Sequence, residues 1–404
     1  MNKWDALWIN AQVMTGEVSG SLLENAAIGT QSGKIAWVGK MTDLPDKPEN
    51  CAKQIHDTKG KTITPGFIDC HTHLVFAGNR AHEFEQRLEG VTYEEIAKQG
   101  GGIQSTVAAT RQASEEELFA QSLPRAQALQ QSGVSTIEIK SGYGLDFATE
   151  AKILRVAKRI GETLPLTVKR TFLGAHTIPL EYRGKAQEYV DLVCNDMIPR
   201  IAAENLADAV DVFCEHIAFD IKQTEQVFQA AAQHKLAVKC HGEQLTCSDS
   251  AVLASAYQAL SVDHLEYASP AGIAAMAQAG VVAVLLPGAF YFLREKQLPP
   301  ISLLREMKVP MALASDCNPG TSPVMSILLI MNMACTLFRM PPAEVLQGVT
   351  MHAARALGIS ATHGSLTAGK IADFSVWNVR SPVELCYYLG NQPLAMSVKA
   401  GELV

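Results

Sequence analysis

The stretch "TPGFIDCHTHLVFAGNR", Thr64 to Arg80, decides how the rest of the chain is read. A short apolar run ends in two histidines one residue apart. Side chains alternate between the faces of a strand, so His71 and His73 point the same way. Two imidazoles side by side suit a metal ion. For an isolated H-x-H pair the ordinary reading, two hydrogen-bonded histidines, should win, since motif matches carry a high false-positive risk. The surrounding sequence has to decide between these readings.

A pattern of short β-branched runs followed by longer helical segments recurs along the chain. The runs are Thr62–Asp69, Val134–Lys140, Leu166–Leu173, Ala209–Glu215, Leu236–Cys240, Leu260–His264, Val281–Leu286 and Pro310–Ser315. Ser114 and Glu117 predict a capping box for one helix, which stops at Gly133. Alternating strands and helices imply a parallel sheet, and near-continuous apolar strands imply burial on both faces. Eight such units predict a (β/α)₈ barrel, with a doubly wound open sheet as the alternative. The barrel spans 62–361 on this reading. Residues 1–61 and 362–404 carry short alternating strands with Gly turns and pair into a small β-sandwich.

A barrel of this kind keeps its chemistry at the C-terminal ends of its strands. His71 and His73 end strand one, Tyr143 follows strand two, and His176 ends strand three. Glu215 and His216 end strand four, His241 strand five, His264 strand six, and Asp316 follows strand eight. Most of the eleven histidines therefore fall where the site belongs. His71, His73, His241 and Asp316 form a three-nitrogen, one-oxygen set for one catalytic metal ion, zinc, iron or manganese. Cys70, Cys240 and Cys317 adjoin these residues but alternate to the other face and pack. Such an ion lowers the pKa of water towards about 7 and polarises a carbonyl. The expected chemistry is hydrolysis at an amide-like or amidine-like carbon. Asp316 moves the proton, and His264 donates to the developing oxyanion.

Composition excludes other classes. A formal net charge of -7 argues against a nucleic-acid footprint. No run of 18 or more purely apolar residues predicts a membrane span, and "MNKWDALWIN" lacks a signal-peptide core. Nine cysteines with no C-x-x-C pair do not form a disulfide framework. The expectation is a soluble, reduced, cytoplasmic protein.

"PGFIDCHTH" together with "GSLTAGKIADFSVW" resembles the amidohydrolase superfamily across essentially the whole chain. Within it, "HTHLVFAGNRAHEFEQRLEGVTYEEIAKQGGGIQSTV", "EIKSGYGL", "TFLGAHTIP", "DVFCEH", "KCHGEQLT", "VDHLE" and "ASDCNPGTSP" resemble the imidazolonepropionase family. The resemblance implies a metal-bearing barrel with a small β-sandwich. It implies hydrolysis of 4-imidazolone-5-propanoate to N-formimidoyl-L-glutamate, a step in histidine breakdown. It implies metal ligands at His71, His73, His241 and Asp316, with substrate contacts at Arg80, Tyr143, His176, Gln244, Asn318, Gly320 and Thr321. A homodimer is a further family-level expectation. A propanoate tail calls for a guanidinium, which Arg80 supplies.

Two positions refine the reading. Binuclear relatives often need a lysine ending strand four; "DVFCEHIAF" has none, and Lys140 on strand two is read as a salt-bridge residue, so one metal is expected. Many mononuclear deaminases carry H-x-x-E after strand five. Here "HGEQ" places Gln244 there, and glutamine does not titrate. Gln244 then orients substrate or water and argues against an aminohydrolase of the guanine or cytosine deaminase type. The rivals are such an aminohydrolase, including a formimidoylglutamate deiminase, and a non-catalytic barrel used for binding. "QGGGI" lacks the G-K-[ST] of a phosphate loop and is read, with Tyr93 upstream, as a mobile cover over the mouth.

Overall fold

The structure is a computed structural model and describes residues 3–16, 22–91, 95 and 100–404. Tyr93 lies outside the described residues. Five strands come first: β1 (Trp4–Met14), β2 (Leu22–Gln31), β3 (Lys34–Lys40), β4 (Ala52–Asp57) and β5 (Thr62–Pro65). Eight follow: β6 (Phe67–Asp69), β7 (Val134–Lys140), β8 (Thr167–Ala175), β9 (Ala209–Cys214), β10 (Ala237–Gly242), β11 (Ser261–His264), β12 (Val282–Leu285) and β13 (Met311–Leu313). The chain ends with β14 (Phe374–Trp377), β15 (Leu394–Lys399) and β16 (Glu402–Leu403).

Strands β6 to β13 stand side by side in chain order, every pairing parallel, with helices between them. The predicted capping box is present, with Ser114 and Glu117 opening the helix Glu115–Gln131. The barrel closes just beyond β6 and β13. Thr72 bridges Cys317 in parallel, His73 N–H donates to the Cys317 carbonyl at 2.9 Å, and Asp316 N–H donates to the His71 carbonyl at 2.9 Å. Ser315 adds N–H and hydroxyl donors to Asp69. The closing seam thus runs through the proposed ligands.

Strands β1 to β5 and β14 to β16 form the second sheet from both chain ends. It encloses its own core of Trp8, Val13, Ile28, Ile63, Phe374, Val376 and neighbours. Lys34 bridges Ile371, so the sheet folds back on itself. The sheet meets the barrel where Trp377 stacks on Phe67 at 5.2 Å and donates its indole N–H to Thr64 Oγ1 at 2.8 Å.

Two readings need correction. Thr62–Asp69 is not one barrel strand. Thr62–Pro65 pairs with β1 and β14 in the small sheet, and the chain crosses to the barrel at Gly66. A Cβ at Gly66 would lie 2.2 Å from Ser135 Oγ, so the crossing requires glycine there. The barrel strands are also not near-continuously apolar. Glu138, Lys140, Asp211, Lys239 and Asp263 come from β7, β9, β10 and β11 and are all buried. They touch across strands that are not neighbours, which places them inside the barrel. No helix among the described residues is long and apolar enough to cross a membrane.

Candidate metal centre and active site

His71 leaves β6 at the seam. Its Nδ1 lies 2.6 Å from Asp263 Oδ2, and donation there leaves a lone pair on Nε2. His73 Nε2 lies 3.2 Å from His71 Nε2 and 3.2 Å from His241 Nε2. Asp316 Oδ1 sits 3.4 Å from His71 Nε2 and 3.6 Å from His73 Nε2. All four side chains are buried. Three ring nitrogens and a carboxylate oxygen converging at these separations match donors around one cation, whose bonds to nitrogen are about 2.0–2.1 Å.

Charge supports the same fit. Burial holds His71 and His73 well below the usual imidazole range, so both are neutral donors. Burial pushes the Asp316 carboxyl well above its usual range, and the acids Asp69 and Asp263 add to this. A cation against Asp316 reverses that penalty. Asp316 itself has φ 51°, a left-handed turn that aims its carboxylate back at the histidines.

The floor of the site orients these ligands. Asp263 receives His71, and Asp211 Oδ2 lies 3.0 Å from His241 Nδ1. Lys140 Nζ bridges both aspartates, at 2.6 Å from Asp211 and 3.5 Å from Asp263, and lies 3.0 Å from Glu138. Lys239 donates to Glu138 at 2.7 Å. Burial alone would lower Lys140; the carboxylates of Asp211, Glu138 and Asp263 outweigh it and hold the ammonium well above its usual range. Lys140 is thus the salt-bridge residue that its place on strand two suggested. The sequence reading missed Asp211 and Asp263. Their signal was an acid inside a β-branched run, three and one residues before a strand end.

His264 completes the cluster, its donor atom lying within 4.8 Å of those of His71 and His241. His264 has φ 85° and Leu265 φ 75°, a rare pair of left-handed non-glycine residues. Burial holds His264 neutral, and its Nδ1 is buried without a partner among the described residues. Cys70, Cys240 and Cys317 are buried and join none of the donor groups. His216 points away, its ring largely exposed beside Glu215.

The proposed substrate contacts surround this cluster unevenly. His176 stacks on His73 with centroids 5.3 Å apart, and Tyr143 lies 5.6 Å from His176. His176 Nδ1 meets the Gly142 carbonyl at 3.0 Å, and burial lowers its pKa to about 3. Its Nε2 is left as an acceptor. A Cβ on Gly142, which has φ 111°, would lie 2.8 Å from the His176 ring. Asn318 spends its amide on its own loop, accepting from the Gly320 and Thr321 N–H groups and donating to the Asp316 carbonyl and Thr321 Oγ1. Gln244 is half-buried past β10, while buried Glu243 turns towards Ala251 N–H, away from the metal donors.

Arg80 donates Nε–H to Thr106 and lays its guanidinium over Gly320, where a Cβ would come within 2.2 Å of Nη1. Gly320 has no positive φ. Gly320→Ala should therefore fold normally but displace the guanidinium. Losing a charged hydrogen bond of about 1.5–3 kcal/mol predicts a KM raised about tenfold or more with kcat little changed. Steady-state kinetics with a thermal melt checks this.

Glu150 was not foreseen. Its carboxylate accepts from Gly142, Gly144 and Leu145 N–H at 2.9, 2.7 and 2.8 Å, cradling the turn that presents Tyr143. Glu150→Gln turns an amide NH₂ towards those donors. A mismatch of about 1–3 kcal/mol predicts a roughly tenfold or larger loss of kcat/KM with the fold retained. An unchanged kcat/KM would remove the cradle from the site.

A cavity of about 390 Å³ borders Cys317 and Asn318, the two residues after Asp316, and is lined by Arg80, Arg125, Phe76, Phe292 and Met325 among others. A larger one of about 920 Å³ lies at the other end of β13, around Lys308, Met311 and His352; none of the four proposed metal donors lines either cavity. Chemistry belongs to the C-terminal face of such barrels, so the smaller cavity is the relevant one.

Fold and donor set together define a barrel whose histidine and aspartate cluster could hold a metal ion, and comparison with known proteins places it in a family. The family model described as "Amidohydrolase family" matches residues 62–403. The imidazolonepropionase of Colwellia psychrerythraea is 54% identical over 406 residues, covering 99% of this chain and 97% of its own. That of Yersinia pseudotuberculosis is 56% identical over 400 residues, covering 99% and 98%. Among solved structures, a zinc-bound adenosine deaminase from Xanthomonas campestris aligns with a TM-score of 0.71 at 18% identity, covering 100% of this chain and 93% of that one. A triazine hydrolase variant aligns at 0.73 and 17%, covering 98% and 94%. At those identities the structures establish the fold. The chain belongs to the amidohydrolase family, and within it to the imidazolonepropionases.

Proposed function

We propose that this chain hydrolyses the cyclic amide C–N bond of 4-imidazolone-5-propanoate, giving N-formimidoyl-L-glutamate in histidine degradation. The observation that carries the reading is the convergence of His71, His73, His241 and Asp316, in a chain 54–56% identical to imidazolonepropionases over nearly its whole length. These four residues would hold one metal ion, zinc or iron. Bound there, the ion would lower the pKa of water and polarise the ring carbonyl.

The chain's own residues account for the rest. Asp316 takes a proton from the attacking water and delivers it to the departing ring nitrogen. His264, neutral and turned inward, donates an N–H to the oxygen that gains charge. His176, fixed through Gly142, presents an acceptor to a ring N–H. Arg80 receives the propanoate carboxylate, and Tyr143 bounds the ring. Gln244 orients substrate or water without taking protons, which favours ring opening over deamination.

The test is hydrolysis of freshly generated 4-imidazolone-5-propanoate, followed by loss of its ultraviolet absorbance, with metal content measured on the same sample. Prompt loss with N-formimidoyl-L-glutamate formed and no ammonia is expected. A metal-replete protein that leaves the substrate untouched would overturn the assignment; ammonia release would move it to the aminohydrolases.

A further inference from the structure

Arg125 lies on the helix Glu115–Gln131 and was singled out by no motif. Its Nη1 donates to the Leu74 and Phe76 carbonyls at 2.9 and 2.8 Å, and its guanidinium carbon sits 3.5 Å from the Phe76 ring centroid. No carboxylate pairs with it among the described residues. Arg111, similarly half-buried, is instead matched by Asp146 and Glu181. Arg125 lines the 390 Å³ cavity together with Arg80, whose guanidinium also lacks an acid partner among the described residues. The remaining walls are mostly apolar, with Phe76, Phe84, Phe292, Pro319, Pro323 and Met325, and include the amides of Asn79 and Asn318.

Two guanidiniums without counter-ions in a mostly apolar cavity are costly unless an anion completes them. Arg125 cannot answer this by bonding carbonyls alone, because carbonyls neutralise no charge. Burial lowers its pKa to about 10, as expected for a cation short of a partner. The cavity borders Cys317 and Asn318, directly after the metal donor Asp316. The four donors do not line the cavity, so a ligand held at the donors would enter it only with a short aliphatic acid tail that passes Asn318. The methylenes would meet phenyl and proline surfaces, and the carboxylate would meet the arginines.

We propose that Arg125 is a specificity-determining residue that, with Arg80, selects substrates carrying an anionic tail. The proposal rests on the functional reading above and names the part of the site that reads the tail. Arg125 acts by charge: it offers the tail a second guanidinium beyond the one over Gly320, and it holds Phe76 against Tyr143, whose rings lie 6.2 Å apart.

The experiment compares wild type, Arg125→Met and Arg125→Lys on 4-imidazolone-5-propanoate and on its propanamide analogue, with a thermal melt of each protein. For Arg125→Met, KM for the acid should rise at least tenfold with kcat within about threefold, while KM for the amide stays within about twofold. Arg125→Lys, which keeps the charge, should recover most of the preference for the acid. Equal losses on acid and amide, or an unaltered acid preference, would overturn the proposal and leave Arg125 as a clamp on Leu74 and Phe76. If Arg125→Met fails to fold, Arg125→Gln, which keeps a polar side chain of similar reach but no charge, takes its place under the same criteria: a tenfold rise in KM for the acid alone supports the charge role, and equal losses or an unaltered acid preference refute it. Wild type inactive on the acid would instead bring down the functional reading itself.

Discussion

His73→Ala is expected to lose its metal and to lower kcat by at least about 10³-fold. His73 Nε2 is the central donor, 3.2 Å from both other ring nitrogens and 3.6 Å from Asp316. Its loss leaves His71, His241 and Asp316 without the group that closes the set. Removing a partner of such ligands already costs about 10–100-fold in affinity or activity, and removing a ligand exceeds this. The backbone of His73 bonds Cys317 at the seam through its N–H, which alanine preserves, so the barrel should still close. The measurement is metal per chain after dialysis, with kcat on the same sample. A variant that retains stoichiometric metal and near-wild-type kcat would remove His73 from the centre.

Lys140→Met should be the most destabilising single change in the barrel floor. Lys140 is fully buried, and its ammonium is the cation between Asp211, Glu138 and Asp263. Methionine fills similar volume but leaves those carboxylates without that cation; Lys239 hydrogen-bonds only Glu138 among them, and its charge acts on Asp263 from a distance. Removing one member of a buried ionic cluster costs about 3–5 kcal/mol. Urea unfolding of the metal-loaded protein should show that loss. Because Asp211 and Asp263 also orient His241 and His71, metal should bind about 10–100-fold more weakly. Stability within about 1 kcal/mol of wild type would show that the acids find other compensation.

Much of this was legible in the chain. The β-branched runs mark β7 to β13 to within two residues at most ends, because strand and helix periodicity are local properties that neighbouring side chains encode. The histidines and Asp316 were legible because each stands at, or within four residues of, a strand end, and the parallel barrel collects those ends on one face. The run Thr62–Asp69 misled because a β-branched sequence suits either sheet. Only the contact of Gly66 with Ser135, set by packing between the units, decides where the chain crosses.

The sequence by itself determined the fold class, the order of the strands and the four residues proposed as metal donors. Each follows from periodicity or from residue type at a strand terminus. The tertiary structure alone decided the rest. It paired Asp263 with His71 across 192 positions of chain and set Lys140 between acids from separate strands. It placed Glu150 under the Tyr143 turn and left Arg125 facing a cavity with Arg80 and, among the described residues, no acid. An acid in a strand looks the same in sequence whether it faces solvent, a lysine or a ligand histidine. Barrel closure is what brings distant strands within hydrogen-bond reach, and that reach assigns each buried charge its role.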